Sequence, residues 1–147
     1  MRVRAAMTTD PVTVAPCTSV SEARRLMRRH QIRHLPVVDD GRLVGVLSDR
    51  DVTITDDVLA VALATLQSDL LGGRYRRVAE VMRTPMHTAD PEEAVAVAAE
   101  RMRQQRIGIL PVVQGDRLIG VLGASDCLRL LREPPRPMAH PARGCPR

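Results

Sequence analysis

A constant offset of seventy-five residues relates the two halves of this 147-residue chain, and no other feature restricts its fold as tightly. Ile32-Arg33-His34-Leu35-Pro36-Val37-Val38 recurs as Ile107-Gly108-Ile109-Leu110-Pro111-Val112-Val113, and Arg42-Leu43-Val44-Gly45-Val46-Leu47 as Arg117-Leu118-Ile119-Gly120-Val121-Leu122. Met7, Thr13, Pro16, Val20, Ala23, Met27 and Asp51 match Met82, Thr88, Pro91, Val95, Ala98, Met102 and Asp126 at the same spacing. Two copies of one supersecondary unit in register predict two units stacked about a pseudo-twofold axis. A unit of roughly sixty residues is marginal alone, so the copies are expected to fold together. Such an axis makes paired clefts, and the columns where the copies differ then carry the information about ligands.

Each copy reads as short strand, helix, strand, strand, helix. Val12-Thr13-Val14 is a short extended run between Pro11 and Pro16. Ser19-Val20-Ser21-Glu22 fits a capping box, after which Val20, Ala23, Leu26 and Met27 form an apolar helical stripe with Arg24, Arg25, Arg28 and Arg29 mostly opposite. Leu35 to Val38 and Leu43 to Leu47 are apolar runs of strand length, separated by the turn signal Asp39-Asp40-Gly41, with Gln114-Gly115-Asp116 in the second copy. Continuous apolar strands imply a sheet covered on both faces, and Pro36 inside the first run places that strand at an edge. Between the copies, 56–71 reads as a helix stopped by Gly72-Gly73. The expected divisions are 1–66, 67–132 and a Pro/Arg-rich tail at 133–147, which is too polar to bury a core and is expected to be disordered.

Composition sets bounds and does little more. The net charge is +5 and all 22 basic side chains are Arg, while Phe and Trp are absent and Tyr75 is the one aromatic residue. The arginine bias reads as a coding preference, so the charge permits an anionic partner without establishing one. The basic helical face of Arg24, Arg25, Arg28 and Arg29 is most simply a solvated surface. Nucleic acid is disfavoured because single-strand binding needs stacking platforms. Cys17, Cys127 and Cys145 show no C-x-x-C spacing, which suits a reducing compartment. Neither a secretory signal nor a membrane-length apolar run is visible, so a cytoplasmic protein is expected. No Walker loop, G-x-S-x-G or H-E-x-x-H occurs and the four histidines lack ligand spacing, so neither a catalytic nor a metal site is expected.

Met7-Thr8-Thr9-Asp10-Pro11-Val12-Thr13-Val14, Leu35-Pro36-Val37-Val38 and Gly45-Val46-Leu47-Ser48-Asp49-Arg50-Asp51, each recurring with substitutions, resemble the cystathionine-β-synthase-type (CBS) domain pair, or Bateman module. The resemblance runs from about residue 3 to 132 and implies an α/β (α+β) fold. In it, tandem β-α-β-β-α repeats pack about a pseudo-twofold axis with two clefts between them. It also implies clefts that take adenine nucleotides or related adenosyl ligands, and modules that associate as homodimers. The implied function is non-catalytic regulation of an unknown partner protein. The alternatives are a nucleotide-independent interaction scaffold and, behind it, RNA or DNA binding.

Residue by residue, the resemblance points to Ser48 and Asp51 for ribose and phosphate, with Arg50 able to meet a phosphate. Ser48-x-x-Asp51 is equally a helix-capping pattern, and the two roles can coexist. Arg33 and His34 resemble polyphosphate contacts, against a plain half-buried role for His34. Adenine would lie between aliphatic side chains and proline, with Pro36, Ile109 and Pro111 as wall residues. Its edge would be read by backbone at Val12, Thr13 and Val14 and at His87, Thr88 and Ala89. In the second copy Ser48 becomes Gly123, Arg50 becomes Ser125, and Arg33-His34 become Gly108-Ile109, while Asp126 persists. Ser125 could cap its helix in a changed register. Two unequal clefts are expected, the one with Ser48, Arg50 and Asp51 better suited to a charged nucleotide.

Overall fold

The computed structural model describes residues 1–55, 76–84 and 87–132. The helix expected at 56–71 and the tail at 133–147 lie outside the described residues. In chain order the elements are α1 (Val3–Ala6), β1 (Thr8–Thr9), α2 (Val20–His30), β2 (His34–Asp39), β3 (Arg42–Ser48), α3 (Asp49–Thr55), α4 (Val78–Val81), α5 (Val95–Gln105), β4 (Ile109–Gln114), β5 (Arg117–Gly123) and α6 (Ala124–Arg132).

Local chemistry explains most of these elements. Ser19 Oγ accepts the Glu22 amide at 3.1 Å and starts α2. Val20, Ala23 and Met27 are its buried stripe. The helix ends on Gln31 at φ 53°, with the Ile32 amide donating to Met27 O and the Gln31 amide to Arg28 O. That is the six-to-one and five-to-two pattern of a Schellman cap, and Arg106, φ 54°, repeats it after α5. The first hairpin turns through Asp40 (φ 50°) and Gly41 (φ 78°), both left-handed as a type I′ turn requires. In the second turn only Gly115 has positive φ, at 67°, which fits a type II′ turn. The turn site is kept while its type changes.

β2 and β3 pair antiparallel with His34 opposite Ser48 and Leu35 opposite Leu47. β4 and β5 repeat this with Ile109 opposite Gly123 and Leu110 opposite Leu122. The hairpins meet at their tips, Arg42 opposite Arg117, through hydrogen bonds from Leu43 N to Asp116 O and Leu118 N to Gly41 O. These two bonds are equivalent under the offset, so the pseudo-twofold passes between them. β2 takes the expected edge, and the run at Val12–Val14 contributes one parallel bridge rather than a strand. Its amide donor and carbonyl at Val14 bond Pro36 O and Val38 N, and prolines at 11 and 16 close off a longer ladder.

The chain's halves and its cores do not coincide. Val3 and Ala6 of α1 are buried with Ala98, Met102, Leu110, Val112 and Leu122, in the second copy's core. Val78 of α4 is buried with Val14, Ala23, Leu35, Val37 and Leu47, in the first copy's core. β1 pairs with β5, Thr8 opposite Val121, and Arg83 bridges Val46 on β3. Val46 and Val121 are one column, so the segment preceding each copy completes the sheet of the other.

Two glycines permit the exchange. A Cβ on Gly120 would stand 2.8 Å from both Met7 Sδ and Thr8 O, and one on Gly45 would stand 2.5 Å from Met82 Sδ and 3.2 Å from Arg83 O. The Thr8 carbonyl is held in the sheet and cannot swing away. Gly120→Ala is expected to lower stability by about 1–3 kcal/mol through overpacking. Gly45→Ala should cost less, because the nearest atom is the end of a flexible thioether. Urea unfolding of the two variants checks the order, and equal midpoints for Gly120→Ala and wild type would sink the argument.

Candidate functional site

Strand alternation decides which sequence-selected residues can act together. Leu35, Val37 and Leu47 point into the core beneath α2, so His34 and Ser48, one residue out of phase, share the opposite face. The His34 ring lies against the second copy, with Cε1 3.4 Å from where a Cβ on Gly108 would stand. β3 then passes directly into α3, which carries Asp51 one turn in.

Asp51 is the one buried charged residue among the described residues, 8% exposed. Its Oδ2 accepts from the Ser48 hydroxyl at 2.7 Å and from the Ser48 amide at 3.1 Å, and the Asp51 amide donates back to Ser48 Oγ at 3.2 Å. Both readings of Ser48-x-x-Asp51 therefore begin from a formed cap. The other oxygen, Oδ1, accepts Arg83 Nε at 2.9 Å. Arg83 is a residue that the sequence reading missed. Its column partner is Thr8, and only the exchange of segments brings it to Asp51. Nε makes this contact from an Arg83 side chain that is 72% exposed.

The second copy is chemically poorer. Asp126 Oδ2 accepts the Gly123 amide at 2.9 Å, and Oδ1 meets Arg129 of its own helix at 3.3 Å. There is no hydroxyl in the Gly123 column. α6 begins at Ala124 with its acid in the same register as Asp51, so Ser125 does not reset the cap and is exposed.

The remaining expected contacts are dispersed. Arg33 is exposed and lies on the α2 side, lining a cleft with Arg24, Arg28 and Asp49, so it does not share a face with His34. Arg50 is exposed on α3. Pro36 and Pro111 are fully buried, so neither offers a wall surface in this conformation. Val14 and Ala89 have spent their amides on Pro36 O and Pro111 O, and Thr88 O accepts Arg101 Nη1 at 2.7 Å. Val12, Thr13, His87 and Ile109 keep at least partial exposure. The structure thus joins His34, Ser48, Asp51 and Arg83, and places Arg33 at the α2 cleft.

Burial holds the His34 pKa below its ordinary value, and the adjacent Arg33 acts in the same direction, against the opposing pull of Asp51 and Asp49. The ring is neutral at pH 7 and contributes hydrogen bonding rather than charge. A folded pKa below the unfolded value of about 6.5 means that the unfolded chain binds the proton better. The associated stability is present above that pH and is lost as pH falls through it. Relative to His34→Gln, the wild type should lose urea resistance between pH 7.5 and 5.5. Parallel pH profiles for the two proteins would show that His34 is not responsible.

Among the described residues no helix is long and apolar enough to cross a membrane, and no cluster of three His, Cys, Asp or Glu could hold a metal ion. The site offers a buried carboxylate, a hydroxyl, a neutral imidazole and one exposed arginine side chain. Those are groups that can recognise hydroxyls and an anion.

The fold and sequence have known relatives. The CBS domain YhcV protein of Bacillus subtilis is 34% identical over 124 residues, covering 84% of this chain and 81% of that protein. Inosine-5′-monophosphate dehydrogenase of Mycobacterium tuberculosis is 34% identical over 136 residues, but the match spans only 23% of that enzyme. A Vibrio cholerae protein named AcuB for a proposed part in acetoin utilization superposes with a TM-score of 0.75 at 28% identity, covering 90% of each chain. The CBS domain pair of protein MJ0100, solved with 5′-methylthioadenosine and S-adenosyl-L-methionine, gives 0.71 at 29% identity over 90% of this chain and 96% of that one. CBSX2, solved with AMP, gives 0.74 at 27% identity over 89% and 96%. With the CBS domain family model matching residues 3–55 and 78–133, in agreement with the twofold repeat, the chain belongs to the CBS domain family as a tandem pair.

Proposed function

We propose that this protein is a regulatory module that takes an adenosine-bearing ligand beside His34, Ser48, Asp51 and Arg83, and signals through conformation or association. The observation that carries this reading is Asp51. Its carboxylate is buried, yet it joins the end of β3 to Arg83, a residue from the segment leading into the other copy. A ribose that donates to Asp51 would compete with Arg83 for Oδ1. Displaced or retained, the Arg83 fork suits a phosphate or carboxylate on the same ligand. Occupancy would then alter a link between the two copies, and a ligand shifts a conformational balance only through such a differential contact. Two structural relatives solved with AMP or with S-adenosyl-L-methionine support the adenosyl class. The cleft of the first copy, with its hydroxyl and exposed Arg83, is the better suited of the two for a charged ligand.

Thermal-shift and calorimetric titrations with AMP, ADP, ATP, NAD and S-adenosylmethionine test the reading. At least one should bind saturably, and Arg83→Ala should weaken a phosphorylated ligand by about tenfold, the loss of one charge-assisted contact. Sedimentation with and without that ligand reads any change in association, including the homodimer expected for this family. No binding by any of the five, with a partner protein co-purifying regardless of nucleotide, would favour the scaffold reading. The mutually satisfied Ser48–Asp51 cap is compatible with that outcome.

A further inference from the structure

Apolar surface is distributed unequally between the two copies. The exposed large apolar side chains among the described residues are Met1, Val97, Leu128 and Leu131. Val97 lies on α5 and the two leucines on α6, and Met1 O accepts the Val95 amide at the start of α5. All four therefore belong to the second copy or to the segment that completes it. The seventy-five-residue offset puts Arg76, Glu22, Thr53 and Asp56 in their columns, so the fold does not require an apolar residue at any of these places.

Leu128 and Leu131 are 63% and 83% exposed, and with Ala124 one turn earlier they form a stripe along α6. They do not build the core, because Cys127 and Leu130 are the α6 side chains packed against it. Single exposed leucines are ordinary. A pair of them where the first copy has Thr53 and Asp56 is not. In the first copy Thr53 lines the groove between α2 and α3 with Arg24, Arg33 and Asp49. The corresponding residues around Leu128 are Ala99, Gly108 and Ala124, so the α5–α6 groove has a small residue in place of each charged one. An apolar strip between two helices suits the anchors of an amphipathic helix at i, i+4 and i+7.

Charge defines the helix that fits. Glu92 is paired with Arg4, Glu93 with Arg101, Glu100 with Arg103 and Asp126 with Arg129. Arg106 and Arg132 are exposed and make no ion pair among the described residues. They bracket the stripe, since the Ala124 amide bonds Gly108 O, two residues beyond Arg106, and Arg132 follows Leu131. We infer that the α5–α6 groove docks one acidic amphipathic helix of a partner protein, its aliphatic side chains on Leu128 and Leu131 and its carboxylates at Arg106 and Arg132. A second copy of the same face is a poorer occupant, because it brings the same two arginines and acids that are already paired. The site is separate from the His34–Asp51 site and needs no bound nucleotide.

A fluorescent synthetic peptide of about five helical turns, with leucines on one face and glutamates on the other, tests the inference against the full chain. Saturable binding is expected, weakening as salt is added. Leu128→Thr/Leu131→Ser, at exposed positions, should bind about tenfold or more weakly while unfolding in urea as wild type does. Arg106→Asn/Arg132→Gln should also bind more weakly and lose most of the salt dependence, whereas Arg29→Ala should bind as wild type does. Absence of saturation, unchanged affinity in the leucine variant, or equal binding of a peptide with lysines for the glutamates would overturn the inference. So would sedimentation showing a wild-type dimer that the leucine substitutions split, which would make a second copy the occupant. Binding to anionic vesicles through the same leucines, with no response to the peptide, would overturn it in favour of a lipid surface.

Discussion

Deletion of residues 1–9 should unfold the second copy, although those residues precede the first. Val3 is fully buried and Ala6 is 3% exposed, both within the cluster of Leu110, Val112 and Leu122. The segment is also held by backbone bonds from Val95 N to Met1 O, from Val3 N to Glu93 O and from Arg4 N to Pro91 O, and β1 lies against β5. Burial of a valine alone contributes about 1.5–3 kcal/mol. Losing Met7 from over Gly120 and uncovering Leu110 and Leu122 brings the total to roughly 5 kcal/mol, on the scale of a whole domain's stability of about 5–15 kcal/mol.

The bared β5 edge adds an aggregation hazard. Amide hydrogen exchange reads the outcome directly: protection should fall first at Leu110 and Leu122, and less at Leu35 and Leu47. Protection at Leu110 matching that of the intact chain would show that α1 and β1 are dispensable.

Substitution of Asp51 should have two separable effects. Asp51→Ala removes the acceptor for the Ser48 amide, the Ser48 hydroxyl and Arg83 Nε. Buried donors left unsatisfied cost about 1–3 kcal/mol. The Arg83 pair contributes little of this, because Arg83 is mostly exposed and the interaction is screened. Asp126→Ala should cost less, since its carboxylate is more exposed and has one amide partner and a long contact to Arg129. Asp51→Asn keeps a carbonyl acceptor for the cap but not the charge, so part of the stability should return. The ligand-induced thermal shift should be absent in both Asp51 variants and retained in Asp126→Ala. A ligand response in Asp51→Ala equal to that of wild type would reduce Ser48-x-x-Asp51 to a cap.

Much of the architecture was legible because its determinants are local. The Ser19 cap, the Val20–Ala23–Met27 stripe, the hairpin turns and the apolar strands each follow from residues within a few positions of one another. The seventy-five-residue offset supplied the pseudo-twofold. Half of the site was legible in the same way, since Ser48 and Asp51 are three residues apart. Arg83 was not, because its partner lies 32 residues earlier in sequence. Arg33 and His34 are adjacent in sequence, but Arg33 stands ahead of β2 and lines the α2 cleft, whereas His34 enters the strand beside Ser48.

By itself the sequence determined two matched units with one acid retained in each, Asp51 and Asp126, and a hydroxyl in only one. It could not determine which copy each opening segment completes. Met7 and Met82 occupy equivalent columns, and Gly45 and Gly120 leave equivalent gaps, so self-pairing and exchanged pairing satisfy the same hydrophobic pattern. Only the tertiary structure decides between them, by placing Thr8 on β5 and Arg83 on β3. That placement gives each core a wall from the other half of the chain and gives Asp51 its second partner.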